Sequence, residues 1–346
     1  MKPIILQVLI WSLVGSGLSA SPSDPANPRA SAPARALLKY FQTLSATPPG
    51  AGGRVLSGQF TDFGPHADLR LINEIHERSG HWPALIGVDY ADVGRGPLDY
   101  AAPNRTARDY WKQGGLISVS AHLYNPAGTN QAGLRDKGVD IASLLDPRSR
   151  AHTNWLVELD SLAAGLQELK AAHVVVLWRP FHEMNGGWFW WGAKDPATFI
   201  KVWRHMFDYF SRTKGLDNLL WVYGPNHGKN TAAYYPGDAY VDLVGLDAYT
   251  DIVDLVHIRG YAEVAALPKP FGFTEYGPHG SENPPGDYDY RRFLDGIKKD
   301  FPKTCFFMSW NAKWSLGRNT HVQELLDDPC VINRENLLPN LVGDGK

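Results

Sequence analysis

Two glutamates in this chain occupy positions where acid–base and nucleophilic chemistry are commonly built. Glu183 lies in Trp178-Arg179-Pro180-Phe181-His182-Glu183-Met184-Asn185-Gly186, and Glu275 in Phe271-Gly272-Phe273-Thr274-Glu275-Tyr276-Gly277. Each closes an apolar, strand-like run. Two-residue alternation puts Arg179, Phe181 and Glu183 on one strand face, and Phe273 and Glu275 on one face of another. Two carboxyl groups meeting over one cleft suit cleavage of a glycosidic bond: one protonates the departing oxygen and the other attacks the anomeric carbon. A single Glu is more often a surface ion-pair partner, so the pair is the specific signal. Other chemistries lack an anchor. His182-Glu183 has no second His four positions on, where Gly186 stands, so no zinc-protease helix is written here. No Gly-x-Ser-x-Gly elbow is present, and Cys305 and Cys330 are too far apart for a zinc site. No metal or other cofactor is expected.

Positioning such a pair needs a scaffold, and the hydropathy pattern supplies one. Short apolar or β-branched runs recur at 54–60, 84–90, 116–124, 174–181, 219–223, 241–249, 270–274 and 305–310. Runs such as Val174-Val175-Val176-Leu177-Trp178 are apolar on both faces, as expected of parallel strands covered by helices. Amphipathic stretches at 68–79, 154–172, 196–213 and 288–299 lie between them, and an opening helix starts near Ala36. The alternation predicts an α/β fold, a single-domain (β/α)₈ TIM barrel. An open doubly wound sheet would call for a Gly-rich fingerprint after the first strand, and none is there.

In a barrel, chemistry sits at the C-terminal strand ends. Those ends carry Asp89 and Tyr90, then His122, then Arg179, His182 and Glu183. Asn226, then Asp247 and Tyr249, then Glu275, and finally Trp310 complete the rim. The fourth and seventh strands lie across the mouth from each other, so Glu183 and Glu275 can face one cleft. Arg179 is expected to orient the carboxylates through charge-assisted hydrogen bonds. Asp89, Tyr90, Asn226 and Asp247 either bind sugar hydroxyls or brace loops. In Trp188-Phe189-Trp190-Trp191, on a loop after Gly186-Gly187, at least one ring is expected to face the ligand.

Composition narrows the partners. The formal charge of −2 over 346 residues, with no basic patch, argues against nucleic acid or an anionic membrane. Residues 1–20, with Lys2, an apolar run from Ile4 and small residues Ser19-Ala20, read as a secretory signal peptide. Residues 21–35, rich in Pro, Ser and Ala, read as a flexible leader, and 36–346 as the catalytic barrel. The expectation is a secreted, monomeric protein acting on polysaccharide. In an oxidising compartment Cys305 and Cys330 either join in a disulfide or remain two separate thiols.

The segment RPFHEMNGGWFWWG, residues 179–192, resembles the acid/base motif of glycoside hydrolase family 26, whose members include endo-β-1,4-mannanases; FTEYG resembles its nucleophile motif. The similarity runs from Gly58-Gln59 through Trp310, and His182, where most related barrels carry Asn, follows the family pattern. The resemblance implies a retaining double displacement on β-mannan with Glu183 as acid/base and Glu275 as nucleophile. It further implies that His182 bonds near the sugar 2-hydroxyl or the nucleophile and that Tyr249 holds Glu275. His122 would contact substrate, and Trp188 and Trp310 would stack on sugar rings. The same machinery on β-1,3-xylan or mixed-linkage β-glucan, or an inactive carbohydrate-binding barrel, are the alternatives.

Overall fold

The computed structural model describes residues 24–91, 98–128, 133–278, 286–339 and 341. The signal peptide expected at 1–20 lies outside them. Eight parallel strands close into a barrel: β2 (Gly58–Phe63), β3 (Leu85–Asp89), β4 (Leu116–Ser120), β5 (Val176–Arg179), β6 (Leu219–Tyr223), β7 (Leu243–Tyr249), β8 (Phe271–Gly277) and β9 (Thr304–Ser309). Each pairs with the next, and β9 pairs with both β8 and β2, so the ring has no free edge. Two short strands outside it, β1 (Val55–Leu56) and β10 (Val331–Ile332), pair with each other, and β1 joins β9 at Leu56 and Phe306. The first apolar run therefore splits in two, and the barrel strand proper extends to Phe63, beyond its expected end.

The outer layer contains α1 (Ala32–Ala46), α2 (Arg70–Ser79), α3 (Ala101–Lys112), α4 (Arg150–Ala171), α5 (Pro196–Asp208), α6 (Tyr261–Ala265), α7 (Arg291–Asp300) and α8 (Val322–Asp327). Their starts are chemically marked. Ser149 Oγ accepts from the His152 N–H to cap α4, and Asp195 accepts from the Thr198 N–H ahead of Pro196 at the first turn of α5. Both helices bury apolar stripes, Trp155, Leu159, Leu162 and Leu166 on one, Phe199, Val202, Trp203 and Met206 on the other. Among the described residues no helix is long and apolar enough to cross a membrane.

The leader expected at 21–35 is not free where it is described. Ala26, Asn27 and Ala30 are buried, and α1 begins at Ala32 rather than near Ala36. The Ala26 N–H donates to Asp242 Oδ1 at 2.7 Å, Asn27 Nδ2 to the Leu216 carbonyl at 2.9 Å, and the Ser31 N–H to the Asp217 carbonyl at 2.7 Å. Residues 216, 217 and 242 precede β6 and β7, so this segment lies under the N-terminal face of the barrel. A Pro-rich composition misled here because a handful of buried backbone bonds is enough to fix an extended stretch. Both cysteines are free and buried; Cys305 opens β9 with its thiol against the Phe271 carbonyl.

Asp242 also accepts from the Trp221 N–H at 2.7 Å, tying β6 and the N-terminal segment to one buried carboxyl. Asp242→Ala leaves both amides without their acceptor and is expected to lower stability by about 1–3 kcal/mol. Urea unfolding measures the loss, and faster proteolysis near residues 24–31 localises it.

Candidate active site

The site is built where strand geometry stops. β5 ends at Arg179, and the two residues that follow at odd positions do not continue its alternation. Phe181 and Glu183 adopt left-handed backbone, with φ of 51° and 55°. Phe181 turns outward and packs among Trp155, Trp190, Trp191, Phe199 and Trp203. Arg179, Phe181 and Glu183 thus do not share a face, contrary to the alternation argument. Glu183 reaches the mouth because its chain turns back, with its N–H held by the Gly224 carbonyl at 2.8 Å. The following loop is pinned by indoles: Trp190 Nε1 donates to the Leu123 carbonyl at 2.9 Å, and Trp191 Nε1 to the His182 carbonyl at 2.8 Å. Trp190 and Trp191 are core; Trp188 and Phe189 line the cleft. A Cβ on Gly186 would lie 2.3 Å from the Trp188 ring, so only glycine lets that indole lie flat there.

Glu275 is delivered by a different irregularity. The β7–β8 register advances from Leu246 opposite Phe273 to Asp247 opposite Glu275, leaving Thr274 as the extra residue. Phe273 packs outward on Phe293 and Phe301, whereas Thr274 Oγ1 bonds Asp247 Oδ1 at 2.5 Å and Glu275 turns into the mouth. Phe273 and Glu275 therefore do not share a face either. The extra residue changes the phase.

The two carboxyls meet. One oxygen each of Glu183, Asp247 and Glu275 lie within 4.8 Å of one another. Arg179 bridges two of these groups, donating through Nη1 to Asp247 Oδ2 at 2.9 Å and through Nη2 to Glu275 Oε1. Tyr249 donates its hydroxyl to Glu275 Oε2 at 2.6 Å. Burial, with the Glu275 charge beside it, keeps the Tyr249 phenol well above its ordinary value, so it stays a donor. Among the described residues the Glu183 carboxyl receives one donor, Trp188 Nε1, at 2.6 Å. Burial first, and the Glu275 charge second, push the Glu183 carboxyl up to about 8. Glu183 is thus held toward its protonated form beside a Glu275 carboxyl that takes two side-chain donors. That is a division of labour between two like groups set by environment.

The cleft is lined by Phe63, His122, Leu134, Arg135, His182, Glu183, Trp188, Phe189, Tyr249, Glu275 and Trp310. Trp310 lies flat on Phe60, with centroids 3.9 Å apart, leaving its other face toward the mouth. His122 and His182 face each other, Nε2 to Nε2, at 3.1 Å. Of the expected rim groups, five stand back from the cleft, Arg179 beneath its floor and four others around it. Asp89 is fully buried behind His122, and Asp247 behind Arg179. Tyr90 turns away to Asn104 of α3, at 2.7 Å, because it lies one residue past the inward-facing Asp89. Asn226 exchanges bonds with Asn185, its N–H donating to Asn185 Oδ1 at 2.9 Å and its carbonyl accepting from Asn185 Nδ2 at 2.7 Å, which braces the Glu183 loop. Phe63, Leu134 and Arg135 were not singled out from the sequence, and Phe189 only as one of four aromatic residues on its loop. Phe63 was reachable, since it ends the first barrel strand; Leu134 and Arg135 come from a long loop whose path no periodicity announces.

The comparisons agree with this geometry. The model of glycosyl hydrolase family 26 matches residues 26–336. The mannan endo-1,4-beta-mannosidase of Bacillus subtilis (strain 168) is 35% identical over 359 aligned residues, which cover 96% of each chain. A mannan endo-1,4-beta-mannosidase A and B from Caldalkalibacillus mannanilyticus is 34% identical over 85% of this chain and 60% of its own length. The solved structure of a Bacillus subtilis mannanase superposes with a TM-score of 0.82 at 34% identity, covering 90% of this chain and 95% of that one. A closed barrel with paired glutamates at the fourth and seventh strands, matched over nearly its whole length, places the chain in glycosyl hydrolase family 26: it is a glycoside hydrolase.

Proposed function

We propose that this protein is an endo-β-1,4-mannanase that cleaves with retention of configuration through a glycosyl-enzyme intermediate. The observation that carries the reading is the approach of Glu183 to Glu275, with oxygens within 4.8 Å. Retaining pairs stand at about 5–5.5 Å, whereas inverting pairs leave room for water at about 6.5–9.5 Å. Two relatives that are mannan endo-1,4-beta-mannosidases, aligned over most of this chain, support the substrate. The signal peptide read at residues 1–20 supports secretion, which suits an enzyme whose substrate is a polymer too large to enter a cell.

The residues divide the reaction between them. A mannosyl ring lies between Trp310 and the carboxyls, with His122 within reach of its hydroxyls. Glu183 gives its proton to the departing oxygen while Glu275 attacks the anomeric carbon. Arg179 and Tyr249 hold Glu275 aimed. Once the ester forms, Glu275 no longer bears charge, the repulsion that raised the Glu183 carboxyl is gone, and Glu183 serves as base toward water. Intact Glu183 and Glu275 weigh against a merely binding barrel, which has no use for both.

Glu275→Ala is expected to lower mannan turnover by about 10⁴-fold or more while binding of mannooligosaccharide persists. Titration calorimetry alongside reducing-sugar release checks both halves, and the proton NMR spectrum of the first-formed product reports the anomer. Glu183→Ala is expected to cost about 10²–10⁴-fold on mannan and far less on an aryl mannoside whose leaving group needs no proton. Equal losses on both substrates would remove Glu183 from the acid role.

The pH dependence follows from the same group. The reactive form of Glu183 is protonated, so kcat/KM is present below about pH 8 and falls as pH rises through it. The Trp188 indole N–H favours the ionised carboxylate. Trp188→Phe removes that donor, so the alkaline limb of the kcat/KM profile is expected to move to higher pH; a limb that moves down contradicts the assignment.

A further inference from the structure

Asp89 has no place in the reaction just derived, yet it is among the most heavily bonded side chains in the protein. It is fully buried, behind the cleft wall, at the end of β3. Four donors converge on its carboxylate: Ser120 Oγ at 2.6 Å, His122 Nδ1 at 2.8 Å, the Ala91 N–H at 2.8 Å and the His122 N–H at 3.0 Å. Burial alone would raise this acid. His122 and the other donors outweigh it and hold the group below the usual carboxylate range. An ionised carboxylate only accepts, so the proton of the His122 ring belongs on Nδ1. A ring that carries this one proton offers Nε2 as a bare acceptor. The 3.1 Å contact between the two Nε2 atoms then requires a proton on His182 Nε2. His182 Nδ1, buried and without a partner, is left as a lone pair, and burial together with the Arg179 charge keeps that ring neutral.

The consequence reaches the acid. His182 precedes Glu183 in the chain, and its carbonyl is gripped by Trp191 Nε1. Its imidazole is a third hold on this peptide, beside the bond from the Glu183 N–H to the Gly224 carbonyl, where the chain enters left-handed backbone. We infer that Asp89 is a positioning residue for catalysis: through a one-directional chain, His182 Nε2–H to His122 Nε2 and His122 Nδ1–H to Asp89, it sets the ring orientation of both histidines and so the aim of Glu183. This rests on the acid role given to Glu183 above.

Asp89→Asn tests it with almost no change of shape. An amide turned toward His122 offers N–H where the carboxylate accepted, which strips the proton from Nδ1, places it on Nε2 and reverses the contact with His182. Nitrogen-15 spectra of the imidazoles in the full chain are expected to show His122 protonated at Nδ1 and His182 at Nε2 in the native protein, and the opposite pair in Asp89→Asn. With that reversal, kcat on mannan is expected to fall about 10²-fold with little change in KM, while an aryl mannoside with a good leaving group loses far less. A native His122 protonated at Nε2, or at both nitrogens, overturns the proposal, as does a reversed variant whose kcat on mannan stays within about twofold of native. If Asp89→Asn fails to fold, the native spectrum alone decides. Full mannan activity in Glu183→Ala would instead sink the acid role and leave the predicted tautomers standing.

Discussion

One desolvated guanidinium organises the active site. Arg179 is buried under the barrel mouth and donates to Asp247 and Glu275, while Glu183 lies close by. A single cation cannot balance three carboxylates in a poorly solvated space. The group it does not touch, Glu183, is pushed up to about 8. Burial pushes Asp247 upward against the pull of Arg179, and Thr274 adds a donor on the other side. Ion pairs of this kind are weak evidence for stability, since desolvation offsets most of their attraction. Their value here is differential: they give two chemically identical side chains unlike surroundings.

Neither glutamate is delivered by a regular strand. Glu183 needs two left-handed residues and a loop nailed down by Trp190 and Trp191; Glu275 needs the extra residue at Thr274. Local backbone strain and register shifts of this sort are tolerated only where neighbouring packing over-determines them. The aromatic cluster around Phe181 does that work on one side, and the Phe273–Phe293–Phe301 cluster on the other. Four of the twelve tryptophans, Trp155, Trp190, Trp191 and Trp203, belong to the first of these supports.

The repeating pattern of the fold was legible because parallel strands covered on both faces read as apolar runs, and the runs at 219–223 and 305–310 nearly coincide with β6 and β9. The meeting of Glu183 and Glu275 was legible from their position at strand ends. What alternation could not foresee was how those ends behave: it put Phe181 beside Glu183 and Phe273 beside Glu275, and both aromatics point the other way. Tyr90 and Asp89 show the same limit at a single step of the chain, one facing a helix and the other the barrel interior. The anchored course of residues 26–31 was hidden for another reason. Its partners, Asp242 and the carbonyl of Leu216, are distant in sequence and nothing local announces them.

The anchoring of the N-terminal segment has an architectural corollary. The chain enters the folded body on the pole opposite the substrate groove, next to the starts of β6 and β7. Any module spliced ahead of residue 24, whether a purification tag or a cellulose-gripping appendage, would hang from the far side of the molecule. A polymer chain lying across the tryptophan-lined trough would meet no obstruction from it.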